Sequence, residues 1–475
     1  MIFLPKAPQA IIRHFLLRFA GAPDTSTGAP RPANMSARDN RQNIKWVEGV
    51  RGVASFLVVV THLARAWDYG LFWPSDGPEE APRLLQLPIL RIPFQGRIGV
   101  MMFSFLTGYV CAIKPLRQIK SGQTSAALTT IAKSAFRRPP RLIMPATIAL
   151  VIAWLVTQLD GFQVAKVCDS DWLRDSSPAR EGGLGHEMLR LMWDFQNSWI
   201  HGTPSYDEHQ WALLPFLKGA FLIYMTLAAT CYMKFRARAL TIFVLWAWFW
   251  CSNDWKTETF ECMFLYGVLL CDIGSEVDFR EYVNSRPKAR RIVQTSLIAL
   301  GLYVGSYPEG NIEFAAWSRG IDQFNFLFPA DNDPPKRWSA IAWHLIVLGF
   351  WLSPTLQTIF SNKLFMWLGR NSFAVYLTHG TLLRAVLVRF IYGFSIAPFS
   401  MERPENADPI YHWIPRTQNW FAWTVAIPLW FSMLYVVAHL WTTYVDAWCA
   451  KVTRWLEELM FEKEEEEKPR GAGLV

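Results

Sequence analysis

The sequence predicts an all-α protein, a polytopic transmembrane helical bundle of about ten spans. Three observations carry this expectation. Hydrophobic residues make up 52% of the 475 residues and charged residues only 18%, against about 25% in an ordinary soluble domain. Apolar runs approaching the ~20 residues needed to cross a bilayer recur along the chain. Many of the 24 tryptophans sit near the ends of those runs, as membrane-interface anchors do.

The runs fall at 47–66, 98–115, 141–159, 211–233, 239–253, 259–273, 292–307, 338–356, 370–392 and 419–442. The fifth, sixth and seventh are short, which suits tilted or re-entrant segments. Residues 1–44 read as a cytosolic tail. Within it Ile11, Ile12, Phe15, Leu16 and Phe19 have helical spacing and suit an amphipathic helix on a membrane surface. Pro5, Lys6, Arg13, His14 and Arg18 interrupt that stretch and make it a poor signal peptide. The Pro-, Ala-, Ser-, Thr- and Asn-rich segment 21–44 reads as a disordered linker. Residues 45–445 form the transmembrane domain, and 446–475 a charged cytosolic tail.

The formal charge is +8, but the basic residues lie between apolar segments and form no single basic domain, which excludes a nucleic-acid-binding protein. The seven cysteines are scattered with no C-x-x-C pair, so neither a zinc site nor a disulfide framework is expected, and no metal. Lys114, Arg117, Lys120, Lys133, Arg137, Arg138 and Arg141 separate spans two and three without an acid. Lys234, Arg236 and Arg238 follow span four, and Arg280, Arg286, Lys288, Arg290 and Arg291 follow span six. The positive-inside rule puts these loops in the cytosol. The acid-rich segment 160–210 then faces the opposite, lumenal side, and both termini are cytosolic.

The stretch Glu48–His62, "EGVRGVASFLVVVTH", places an arginine and a histidine in an apolar helix. Eleven residues make three turns plus about 20°, so Arg51 and His62 share a face roughly 16 Å apart along the axis. Each has an ordinary reading, an interface anchor for Arg51 and an interhelical hydrogen bond for His62. Together they suit an anionic co-substrate entering from the cytosol. A guanidinium holds phosphate, and a deeper imidazole can act as a general base. Acyl-coenzyme A, a phosphorylated head on a long arm ending in a thioester, has that shape.

The same stretch resembles the first-helix motif of the acyltransferase 3 family of integral membrane acyltransferases, with its Asp/Glu-Gly-x-Arg-Gly opening and Arg-x10-His spacing. Three further blocks follow in family order. "IGVMMFSFLTGYV" (Ile98–Val110) is similar to the second-helix pattern, with Thr107 where Ser is usual. "FRRPPRLIMPA" (Phe136–Ala146) is similar to Arg-Arg-x-x-Arg-x-x-Pro, and "LGRNSFAVYLTHG" (Leu368–Gly380) to the late Leu-Gly-x-x-Ser-Phe-x-x-Tyr-Leu-x-His. The aromatic-rich loops look most like the fungal branch, and that resemblance implies a eukaryotic endomembrane (ER or Golgi).

The resemblance implies an acyl-coenzyme A-dependent O-acyltransferase acting on a hydroxyl of a small-molecule, glycan or lipid-like acceptor, with no permanently bound cofactor. Arg51, Arg137, Arg138 and Arg141 would hold the coenzyme. His62 would act as base or as acyl-carrying nucleophile, with His379 a second catalytic candidate. Glu48, Ser372, Tyr376, His209 and Trp211 are positioning candidates. Gly108 and Gly369 suit close helix packing. One departure stands out: in "HQWALLPFLKGAF" (His209–Phe221), Phe216 occupies the position of a glutamate usual in the family. A transporter, or a family member acting as scaffold or sensor, is the alternative; the absence of internal repeats counts against a transporter.

Overall fold

The computed structural model describes residues 37–252, 259–330, 332–394, 400–402 and 410–461. The amphipathic segment predicted within 1–20 and the end of the charged tail lie outside them. Each of the ten predicted apolar runs falls mainly on one helix: α1 (Ala37–Trp67), α2 (Gly96–Lys120), α3 (Thr124–Gln158), α5 (Leu213–Ala229), α6 (Phe235–Ser252), α7 (Phe260–Gly274), α8 (Pro287–Val304), α9 (Pro334–Trp351), α11 (Lys363–Leu382) and α12 (Trp420–Trp441). Further helices include α4 (Leu184–Ile200), α10 (Pro354–Phe360) and α13 (Ala447–Met460).

Ten helical runs do not by themselves make ten spans. Among the described residues six helical stretches are long and apolar enough to cross a membrane, and the pair α9–α10, bent by 98°, makes a seventh if counted as one. α7 has only 15 residues, too few for a bilayer at 1.5 Å per residue without help from its neighbours. The all-α expectation holds for the bundle. The exception is a three-residue antiparallel pair, β1 (Ser400–Glu402) and β2 (Ile410–His412), with Met401 opposite Tyr411.

Two further boundaries differ from the sequence reading. Segment 114–141, expected as a loop, is helical except at the turn 121–123, and α3 runs through Pro139, Pro140 and Pro145. Each proline removes one backbone donor, a loss that neighbouring helices tolerate inside a bundle. At the other end the chain continues from α12 through a π-helical turn, Thr442–Asp446, into α13. Residues 447–460, assigned to the tail from the sequence, dock on α3 with a Glu457–Arg137 ion pair between them, and Cys449 and Thr453 are buried.

Lipid tails are as apolar as leucine, so helices in a bilayer associate by close packing and not by escape from water. Small residues make that packing possible here. Gly108 on α2 lies against the Phe264 carbonyl of α7, and Gly369 on α11 lies against the Glu48 carbonyl of α1. A Cβ at either position meets backbone. α1 is thereby held between α2 and α11, with Trp46, Val50 and Ala54 fully enclosed. The face of α1 that carries Arg51 and His62 is left turned toward the interior cavities.

Candidate active site

Two adjoining cavities occupy the centre of the bundle. The first, about 460 Å³, is lined by Arg51, Arg137, Arg138, Arg141, Ser372 and Tyr376, with Phe103 and Phe216 among its apolar wall. All four arginines predicted to hold a coenzyme therefore face one space, although they come from two helices. Arg51 Nε donates to Ser372 Oγ at 2.9 Å and its Nη1 lies 3.5 Å from Glu48 Oε2. Both contacts orient the guanidinium. Arg137 is partly neutralised by Glu457 at 3.1 Å. Arg138 Nε is buried without a hydrogen-bond acceptor.

The second cavity, about 300 Å³, is lined by His62, Arg65, Trp172, His209 and Trp211 among others. Val58, Val100 and Tyr376 belong to the walls of both. The face of α1 that carries Arg51 and His62 thus runs from the arginine-lined space to the histidine-lined one, over the roughly 16 Å expected from helix geometry.

Three histidines converge here. His62 Nδ1 is 2.9 Å from His379 Nε2, with ring planes 16° apart. His209 meets both edge-on, at centroid distances of 4.5 and 4.8 Å. Trp172 stacks on His62 at 5.6 Å. The partners assign the protons. His379 Nδ1 faces the carbonyls of Val375 (3.1 Å) and Tyr376 (2.8 Å), so that nitrogen carries hydrogen. In the neutral ring Nε2 is then bare and accepts from His62 Nδ1. His62 Nε2 is left as a free lone pair on the cavity side of the helix, the form a general base needs. The three rings also offer one nitrogen each within 4.8 Å of one another, a set that could hold a metal ion. Two bare nitrogens 2.9 Å apart repel, so the His62–His379 contact is a hydrogen bond, and a metal would have to replace its proton.

His209 is held differently. Its Nδ1 is 3.1 Å from Asp207 Oδ1, its backbone carbonyl accepts from the Tyr376 hydroxyl, and its Nε2 is buried without a partner. Asp207 also accepts from Arg384 Nη2 at 3.1 Å. Burial holds the Asp207 carboxyl above its usual range, against the smaller opposing pull of the Arg384 guanidinium. Arg384 lies in a π-helical turn, Leu383–Leu387, that continues α11. Such insertions are frequent at functional sites because they re-aim a side chain. Arg384 was missed in the sequence, where its only signal is a cation inside the apolar run 370–392.

The segment 160–210, expected as an acid-rich lumenal loop, folds as an anchored cap. Glu187 on α4 accepts from Tyr206 Oη (2.7 Å), Gln158 Nε2 (2.8 Å) and the Glu181 amide (2.9 Å). Asp194 accepts from the Ser205 hydroxyl at 2.7 Å and the Tyr206 amide at 3.1 Å. Both acids are buried. They clamp the strand of chain that delivers Asp207 and His209. On the rim, Glu309 takes both its oxygens to Arg65 Nη2 at 2.8 Å.

The four sequence blocks therefore meet around one pair of cavities. A family model described as an acyltransferase domain, acyltransferase 3, matches residues 44–433. The chain belongs to this family. Among curated relatives it is similar to the O-acetyltransferase PaAT-1 of Phomopsis amygdali, 24% identical over 374 residues and 72% of each chain. It is also similar to acyltransferase R4 of a Phoma species, 22% identical over 74% of this chain and 83% of the relative, and to acyltransferase clz18 of Cochliobolus lunatus, 22% identical over 70% and 81%. No solved structure matches. The Acyltransferase 3 domain here is a multi-pass membrane unit whose late motif, with Ser372, Tyr376 and His379, closes on its first.

At the departing position of this acyltransferase domain, Phe216 lines the arginine cavity between Phe103 (6.5 Å), Phe260 (5.9 Å) and Phe264 (6.0 Å). An aromatic wall stands where a carboxylate was expected. The carboxylate that orients a histidine comes instead from Asp207, two residues before His209.

Proposed function

We propose that this acyltransferase is an O-acyltransferase that takes an acyl group from acyl-coenzyme A in the arginine-lined cavity and places it on a hydroxyl presented in the histidine-lined one. The observation that carries the reading is the position of His62, in the wall of the histidine-lined cavity one helical turn beyond Val58, which lines both spaces, with Nδ1 committed to His379 and Nε2 left to act as base. The acceptor hydroxyl gives its proton to His62 Nε2 as its oxygen attacks the thioester carbonyl carbon. The carbon–sulfur bond breaks, and the departing thiolate recovers the proton from His62. In the alternative order His62 Nε2 itself attacks the thioester and carries the acyl group to the acceptor.

Arg51, Arg138 and Arg141 hold the coenzyme phosphates by charge-assisted hydrogen bonds. His379 is a positioning residue that fixes the proton on His62. Trp172 and Trp211 give the acceptor an apolar wall. The acceptor is a small molecule, glycan or lipid-like hydroxyl, and the name of the Phomopsis relative favours acetyl as the group transferred. The basic segments face the cytosol with both termini, in an endomembrane.

The test is release of free thiol by the purified protein from acetyl-coenzyme A, with and without hydroxyl acceptors. Acceptor-dependent thiol release is expected. A protein that binds acetyl-coenzyme A but never turns it over with any acceptor from a panel of deletion-strain metabolites overturns the reading in favour of a scaffold or sensor.

A further inference from the structure

A third cavity, of about 470 Å³, lies apart from the two above. It is walled where four helices end. Lys45 stands near the start of the membrane-crossing part of α1, Gly274 ends α7, Arg290 lies in the first turn of α8, and Trp351 ends α9. The sharp turn into α10, at 98° to α9, closes one side. Helix ends gathered at one level mark the boundary between hydrocarbon and water.

Three cations line this hollow, Lys45, Arg280 and Arg290, and no carboxylate does. Arg290 donates to the neutral Asn284 Oδ1 at 2.7 Å. Lys45 and Arg280 make no ion pair among the described residues. Topology explains basic residues on this face. It does not explain their convergence on one concave wall, where like charges repel and water screens only part of the cost. The rest of the wall is amphipathic: Phe279 stacks on Trp351 at 5.7 Å, and the Gln357 and Thr358 side chains lie beside them. Tyr109 lines this cavity while Thr107 lines the arginine cavity, and two residues on a helix point about 200° apart, so the two spaces lie on opposite sides of α2.

We infer that this cavity is a second anion site, separate from the proposed acyl-donor site, which binds a phosphorylated ligand at the membrane surface. Its place at the helix ends favours the phosphate headgroup of an anionic lipid, with the guanidinium forks on the phosphate and the Phe279–Trp351 pair against the glycerol and upper chain. The inference does not depend on the acyl-transfer reading.

The experiment is native mass spectrometry of the purified full chain titrated with dioctanoyl phosphatidic acid, dioctanoyl phosphatidylcholine or inorganic phosphate. Saturable binding of phosphatidic acid over phosphatidylcholine is expected. The double variant Arg280→Gln/Arg290→Gln should weaken it at least tenfold, since each lost charge-assisted bond is worth about a factor of ten. Lys45→Gln, an exposed change that leaves folding alone, should weaken it about threefold. Inorganic phosphate binding that disappears in the same variants keeps the site and makes a soluble phosphate its ligand. Unchanged phosphatidic acid binding in both folded variants, equal binding of phosphatidylcholine, or displacement of phosphatidic acid by acetyl-coenzyme A overturns the inference.

Discussion

His62 Nδ1 and His379 Nε2 lie 2.9 Å apart, 317 residues apart in the chain, and the hydrogen bond between them decides which nitrogen of His62 is free. His379 cannot reverse the arrangement without giving up two backbone carbonyls. Replacing His62 by Ala should lower turnover by a factor of about 10²–10⁴, the range for a lost general base, with the protein still folded. His379→Ala should lower kcat less and leave the KM for acyl-coenzyme A unchanged. His379→Gln, whose amide oxygen can still accept from Nδ1, should recover part of the loss. Full thiol release by His62→Ala would falsify the assignment.

The donor side separates from the chemistry. Arg51→Ala and Arg141→Ala each remove a cation from the arginine cavity and should raise the KM for acyl-coenzyme A about tenfold with a smaller change in kcat. Ser372→Ala, which frees the Arg51 fork, should act in the same direction more weakly. Steady-state kinetics with varied acetyl-coenzyme A measures this. An unchanged KM in Arg51→Ala returns that residue to the role of interface anchor.

Phe216→Glu restores the carboxylate usual in the family, but into an aromatic wall and beside the proposed phosphate site. Acyl-coenzyme A should bind more weakly and transfer should fall, whereas Phe216→Leu should retain most activity. Faster transfer by Phe216→Glu shows instead that the wild type lacks a group it needs.

Glu187 is fully enclosed in the cap. Burial alone would raise its carboxyl, but the Glu181 amide, Tyr206, Gln158 and Arg190 outweigh this and hold it down at about 2 from a usual 4.5. A carboxyl lowered in the folded state contributes stability above about 4.5 that is lost as pH falls toward about 2. Glu187→Gln should therefore lower the thermal midpoint at pH 7, and the gap to wild type should close on acidification over that window. Because the cap delivers His209, the variant should also lose activity. A gap that stays constant with pH rules out the ionised carboxylate as the source.

If a proton, and not a metal, joins the histidines, prolonged dialysis against a chelator should leave turnover unchanged and elemental analysis should find less than one metal per chain. Loss of activity restored by zinc reverses that assignment.

The one-dimensional pattern was enough for the helices and for half of the site. Apolar runs of the right length must become helices in a medium without water, because every backbone group then needs a partner within its own segment. The 11-residue spacing in α1 likewise needs only helix geometry to put Arg51 and His62 on one face. The crossing count was not legible, because short runs such as α7 are apolar enough to be buried but too short to declare a span. Nor was the role of the acids in 160–210, since an exposed and a clamped glutamate read the same until α4 and Tyr206 are brought together. Tertiary structure alone decided that His209 joins His62 and His379, that Asp207 and Arg384 stand behind it, and which imidazole nitrogen is free. The His62–His379 and Asp207–Arg384 contacts are distances of about 3 Å between residues far apart in the chain, and such contacts are fixed by packing.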